Sequence, residues 1–271
     1  MTIQDDMVGK HPIENDFWKW LQHEDTESSD LKRHRYLEVD SSNRDEAIKS
    51  VAAWLIKYHL SEGKKRVIRK KQEILEKHDF AEYAQSLHVF PKSDKTQKGN
   101  LGEIFLSEYL SQTSGVQILV YKLHYNPNID QSMKGDDVLL VNPDKVLLGE
   151  SKFRSTPNKR AVEEASELMK DKLTLPMSLG FIADRLFEQG KDELGEVIFD
   201  LQFKMSSIEI DIKNIGFLLS TKKVRSIVEN NLSSPNSDFI FISLGMDDPA
   251  AFLKSVFDYA ESNLLEGSYE T

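Results

Sequence analysis

The chain has 271 residues, of which 39% are hydrophobic and 30% are charged, and it contains no cysteine. The lack of cysteine excludes a disulfide scaffold, and the apolar stretches are too short for a membrane-spanning helix, so we expect no membrane association. The 35 basic and 45 acidic side chains give a net charge of -10, which argues against a protein that coats nucleic acid by bulk attraction.

Residues 1–92 are predicted to form a mainly helical region. The acidic first residues lack the basic and apolar parts of a secretion signal, so we expect a cytoplasmic protein. From residue 14 to about residue 90, apolar residues recur at every third or fourth position, with a polar break near residues 24–32. Six of the eight residues at 64–71 are Lys or Arg, which suits either phosphate binding or the solvated face of a helix. We expect this region to dock a partner or DNA.

Residues 93–271 are predicted to form an α/β domain with a mixed sheet flanked by helices. A helix is expected to open at Asn100, and short apolar runs bounded by Gly, Asn, Asp or Pro follow it. These predicted strands lie at 116–121, 138–141, 146–148, 215–220 and 239–244. The other predicted helices lie at about 160–173, 178–189, 191–204, 222–230 and 249–265. Alternating strands and helices are typical of an α/β domain.

The segment from residue 135 to residue 153 predicts a β-hairpin that carries charged side chains. Two apolar runs flank residues 142–145, whose Asn and Pro favour a type I turn. If Asn142 faces Lys145, then Asp137 lies opposite Glu150 with Cβ atoms about 4.5–5.5 Å apart. Because strand side chains alternate, Lys152 lies on the same face as Glu150.

Three alternatives accompany this interpretation. A slip of one residue in the turn would select Asp136, which otherwise faces the opposite side with Ser151. The hairpin charges are also typical of a surface ion-pair ladder. Glu103, at the start of the preceding helix, is a candidate third acid, but Asn100 and Glu103 also match a capping box, in which the glutamate only caps the helix.

Two carboxylates held this close repel one another unless a cation lies between them. Oxygen ligands with no cysteine or histidine nearby favour a hard divalent ion, Mg²⁺ or Mn²⁺. Such an ion would stabilise the transition state of phosphodiester hydrolysis, while Lys152 would contact a phosphate or position the attacking water. The sequence contains no Walker A loop, so we do not expect this chain to hydrolyse nucleotides.

The order of helix-borne Glu103, strand, Asp137, Glu150 and Lys152 resembles the PD-(D/E)xK nuclease superfamily. The residues around 98–104, 134–140 and 148–154 look more narrowly like the HamA family, the nuclease subunits of Hachiman anti-phage defence systems. This resemblance covers about residues 95–265. A Gly-Asp pair stands where the superfamily name has Pro-Asp.

The resemblance implies a restriction-endonuclease-like fold, with Glu103, Asp137 and Glu150 as metal ligands and Lys152 assisting attack. It also implies a heterodimer with HamB, a superfamily 2 helicase that supplies ATP hydrolysis and DNA translocation. We therefore expect a Mg²⁺-dependent DNA endonuclease that acts in anti-phage defence.

Two other functions stay open at this point. The chain could be a catalytically silent subunit that senses DNA or regulates the same complex. It could also be an RNA nuclease, because a metal site directed at the backbone reads phosphates rather than bases.

Overall fold

The computed structural model describes residues 1–12, 19–26, 29–78, 89–118, 121–126, 128–131, 137–141, 145–169, 178–206 and 210–265. Within these ranges the strands are β1 (Leu21–Asp25), β2 (His34–Val39), β3 (Val138–Val141), β4 (Lys145–Phe153), β5 (Asp211–Thr221) and β6 (Phe239–Met246). The α-helices are α1 (Ile3–Val8), α2 (Arg44–His59), α3 (Glu62–His78), α4 (Asp94–Ser114), α5 (Lys159–Leu168), α6 (Ser178–Glu188), α7 (Asp192–Ser206), α8 (Val224–Asn231) and α9 (Pro249–Leu265). Two short 3-10 helices span Ser41–Asn43 and Lys122–Tyr125.

The six strands form one mixed sheet in the order β1-β2-β6-β5-β4-β3. The outer pairs β1/β2 and β3/β4 are antiparallel, and the three inner pairs are parallel. All eight residues of β6 are buried, as expected for a strand that helices cover on both faces. The predicted fold class, a mixed sheet flanked by helices with a helical N-terminal region, is confirmed.

Alternating side chains of the central strands divide the core between the two faces of the sheet. Phe217 joins the larger core with residues of α2, α4 and α9, and its ring stacks on Phe105 with centroids 5.9 Å apart. Leu218 points the other way and joins the core under α5 and α8. The α6–α7 pair covers the β3–β4 end of the sheet through a third cluster that includes Leu148 and Ile198.

The N-terminal region contains α2 and α3, as predicted, but the helical interpretation of residues 21–23 and 34–39 is wrong, as is the polar break at residues 24–25. These segments are strands β1 and β2 of the sheet. The charged residues of β2 conceal it in the sequence, because Arg35 is fully buried and forms ion pairs with Asp25 at 2.6 Å and Asp5 at 2.9 Å. The proposed division near residue 92 stays a prediction.

Most of the predicted elements after residue 92 are confirmed, with two corrections. The helix predicted to open at Asn100 begins at Asp94, with Ser93 as its N-cap residue. Residues 116–118 and 121 of the predicted first strand are not in a strand, although the Gln117 carbonyl accepts a hydrogen bond of 3.2 Å from the Val141 N–H. Residues 119–120 and 170–173 lie outside the described ranges. In the described part of the chain, no helix combines the length and apolarity needed to cross a membrane.

Candidate active site

The β3–β4 hairpin has the register that the sequence predicts. Val138 pairs with Gly149, and Val141 pairs with Val146, so the paired residue numbers sum to 287 as expected. Asp137 directly precedes β3, and its Oδ2 accepts a hydrogen bond of 2.8 Å from the Ser151 backbone N–H. The turn at 142–144 and the alternative acid Asp136 lie outside the described residues.

Glu103 lies within α4, about two and a half turns beyond its start at Asp94, so the capping-box interpretation is wrong. The supposed cap residue, Asn100, is buried, and its Nδ2 lies 2.9 Å from Nε2 of His59. Glu103 is therefore not engaged as a helix cap. Its side chain is 12% exposed and lines a pocket together with Asp137.

Two glycines allow α4 to pack against β4 at very short range. A Cβ atom at Gly102 would lie 2.3 Å from Ser151 Oγ, and one at Gly149 would lie 2.7 Å from Leu106 Cδ2. A larger residue at either position would require the Ser151 hydroxyl or the Leu106 side chain to move. Because Glu103 and Glu150 directly follow these glycines, the close contact places both acids at the same junction.

The three acids lie within one another's electric field. Burial raises the pKa of Glu103 to about 8, and the charges of Asp137 and Glu150 add to this rise while Lys122 opposes it. Burial also raises the pKa of Glu150, again with a contribution from Asp137 and with opposition from Lys152. This crowding of buried negative charge is the situation that a bound cation relieves.

Two lysines contact the acids. The Nζ of Lys152 donates a hydrogen bond to Oε1 of Glu150, which confirms that the two side chains share a face of the sheet. The Nζ of Lys122 lies 3.5 Å from Oε2 of Glu103 and is only 12% exposed. Lys122 was not among the residues predicted from the sequence. No pattern around it could have indicated this position, because the 3-10 helix that holds it meets α4 only in three dimensions.

The pocket beside this cluster is polar at one end and apolar elsewhere. Its charged lining residues are Glu103, Lys122 and Asp137. The apolar wall comes from the β3 strand, the 3-10 helix and the α6–α7 pair and includes Leu123, Leu139, Val141, Leu179, Ile182 and Ile198. The space open to the centres of water-sized molecules is about 50 Å³, enough for an ion with a few waters at about 10–15 Å³ each.

The donor chemistry of the cluster fits a hard divalent cation. Glu103, Asp137 and Glu150 offer only carboxylate oxygens, which suit Mg²⁺ or Mn²⁺ better than zinc. Among the described residues, no three acidic or imidazole side chains stand in an arrangement ready to hold a metal ion. Lysine ammonium groups contact two of the three acids, so a metal would take over the oxygens that these lysines now contact.

A model of the HamA family matches residues 14–260 of the chain. The match spans all six strands, the basic helix α3 and the four residues that the sequence predicts as a site. It therefore extends well into the N-terminal region, in which the sequence had suggested no resemblance.

Proposed function

The chain belongs to the HamA family, a component of Hachiman defence against phages, and we propose that it is a Mg²⁺-dependent DNA endonuclease. The observation that carries this proposal is the junction of α4 with the hairpin. There, Glu103 and Asp137 line one pocket, the charge of Glu150 acts on Glu103, and Lys152 contacts Glu150. A buried group of like charges with raised pKa values is typical of a functional site.

In this proposal each residue has a separate task. Glu103, Asp137 and Glu150 hold Mg²⁺ or Mn²⁺, which, when bound, stabilises the negative charge that builds up on the phosphate during hydrolysis. Lys152 lies on the same face as Glu150, where its ammonium group can contact a phosphate oxygen and orient the attacking water. The Ser151 N–H fixes the Asp137 carboxylate at the end of β3.

We also propose that the chain works as a heterodimer with the helicase subunit HamB. The net charge of -10 predicts weak binding of the isolated chain to DNA, so most of the affinity would come from a partner. The absence of a Walker A loop from the sequence is consistent with ATP hydrolysis by another subunit.

The test is cleavage of plasmid and linear DNA, with and without the helicase and ATP, in Mg²⁺ and in EDTA. Glu150→Gln and Lys152→Met should each reduce cleavage by about 10²-fold or more, the size expected for loss of a group that acts in the transition state. Glu261→Gln and Lys254→Met, at exposed positions on α9, are the matched controls and should cut like the wild type. Full activity of both site variants would rule out this function.

A silent DNA-sensing or regulatory subunit is the second candidate. The observation in its favour is that lysines already contact two of the acids, which would make the cluster a stabilising feature. In that case no condition would give cleavage, the complex would still bind DNA, and Glu150→Gln would impair folding or assembly instead. An RNA substrate in the same assay tests the remaining alternative, an RNA nuclease.

A further inference from the structure

Helix α3 has a charge opposite to that of the rest of the molecule. Residues 62–78 contain seven Lys or Arg and three Glu, a net charge of +4 in a chain with a net charge of -10. Arg66 and Lys70 lie one turn apart on its exposed surface. Within the described residues, neither forms an ion pair with a carboxylate, whereas Lys65 does so with Glu62. Helix α3 therefore presents positive charge to the solvent.

The same helix forms one wall of an open groove. The groove encloses about 460 Å³ of space open to water-sized molecules. Its apolar lining residues are Leu60, Val67, Ile68, Val89, Leu123 and Ile129. Lys64 and Lys71 also line it, so the surface combines an apolar floor with ammonium groups. We refer to this surface as the α3 groove.

The α3 groove lies next to the candidate active site. Leu123 lines both the groove and the pocket that contains Glu103 and Asp137. Lys64 Nζ donates a hydrogen bond of 3.1 Å to the carbonyl of His124, in the 3-10 helix that also carries Lys122. A ligand lying in the groove would therefore lie beside the 3-10 helix that carries Lys122.

We propose that the α3 groove binds single-stranded DNA and directs it towards the pocket. The ammonium groups of Lys64 and Lys71 suit backbone phosphates, and the apolar floor suits the faces of bases and sugars, which are accessible only in a single strand. A duplex hides those faces in its stacked base pairs. This inference rests on the proposed nuclease function and specifies that the substrate is single-stranded DNA.

The test measures binding of the full chain to a fluorescent single strand and to its duplex by anisotropy. Ca²⁺ replaces Mg²⁺ so that the result does not depend on cleavage. The double variant Lys64→Gln/Lys71→Gln, which removes both ammonium groups that line the groove, should bind the single strand about tenfold more weakly, and the slope of log affinity against log salt should fall by about 1.4. The control Lys223→Gln/Lys254→Gln, which removes two exposed cations elsewhere, should leave both quantities unchanged.

A second variant tests the apolar floor. Val67 is 54% exposed, so Val67→Glu should leave the fold intact, as checked by circular dichroism, while it weakens single-strand binding. Failure of the wild type to bind a single strand, unchanged binding by the Lys64/Lys71 variant, or a duplex bound as well as the single strand would each overturn the proposal.

The two proposals can fail separately. Loss of binding in the α3 variants without cleavage by any form of the protein would support the groove and reject the nuclease. Cleavage that needs Glu150, combined with unchanged binding by the α3 variants, would support the nuclease and reject the groove. Glu150→Gln itself should retain single-strand binding in Ca²⁺.

Discussion

Replacement of Gly149 by alanine tests how the site is assembled. An added Cβ would lie 2.9 Å from Val138 Cβ on the paired strand and 2.7 Å from Leu106 Cδ2 on α4. The Leu106 methyl group can rotate away, but Val138 Cβ is attached directly to the backbone of β3. Because carbon atoms pack at about 3.5–4.0 Å, β3 must move from β4 by roughly 0.6–1.1 Å.

This displacement has two measurable consequences. Overpacking of this kind costs about 1–3 kcal/mol, so the free energy of unfolding measured in urea should fall by that amount. Asp137 directly precedes β3, so it should also shift relative to Glu150. A misplacement of about 1 Å at a catalytic site costs on the order of 10²-fold in rate, which the plasmid cleavage assay would detect.

Gly180→Ala is the control for this experiment. Gly180 lies in α6, and the nearest atom to an added Cβ there is Gln202 Nε2 at 3.5 Å, an ordinary contact. Removal of a helical glycine should stabilise the protein by up to about 1 kcal/mol and leave cleavage unchanged. If Gly149→Ala were as stable and as active as the wild type, the close approach at Gly149 would not be what positions the acids.

Three further predictions concern charge. The raised pKa of Glu103, about 8 against an ordinary value of 4.5, means that the folded state keeps a proton that the unfolded state loses. In EDTA the free energy of unfolding should therefore fall as pH rises between these values, and it should fall less steeply in Glu103→Gln. Equal slopes of the free energy of unfolding against pH in the two proteins would contradict this prediction. Mg²⁺ at about 100 times its Kd should stabilise the wild type by about 2.7 kcal/mol but not Glu150→Gln, and thermal shifts that are equal in both would place the ion elsewhere. Arg35→Met should lower the free energy of unfolding, measured in urea, by about 3–5 kcal/mol, because it leaves Asp5 and Asp25 without their buried cation. A decrease below about 1 kcal/mol would show that these ion pairs contribute little to stability.

The hairpin was predictable because local rules determine it. A short turn fixes which residues pair, and the two-residue period of a strand then assigns every side chain to a face. The positions of Asp137, Glu150 and Lys152 relative to one another follow from these two rules. The structure confirms both the register and the shared face of Glu150 and Lys152.

Other features depend on contacts between distant parts of the chain and were not predictable. Strand β2 contains His34 and Arg35, which are buried because Ser243 and two aspartates supply partners, and no local pattern shows this. Lys122 reaches Glu103 only after the 3-10 helix docks beside α4. The buried contact of Asn100 with His59 likewise replaces the cap that local sequence suggested.

The energetics of Glu103 bear on what the cluster is for. Folding buries this acid beside Asp137 and Glu150, and its raised pKa records that its ionised form is disfavoured there. A junction that served only to hold α4 against β4 would be more stable with an uncharged side chain of similar size, because Gly102 and Gly149 already provide the close contact. The cost of burying Glu103 beside two other acids is explained if the three acids bind a positively charged ligand. A divalent cation is such a ligand, which is why the unfavourable burial of Glu103 supports a metal-dependent site more strongly than a structural one.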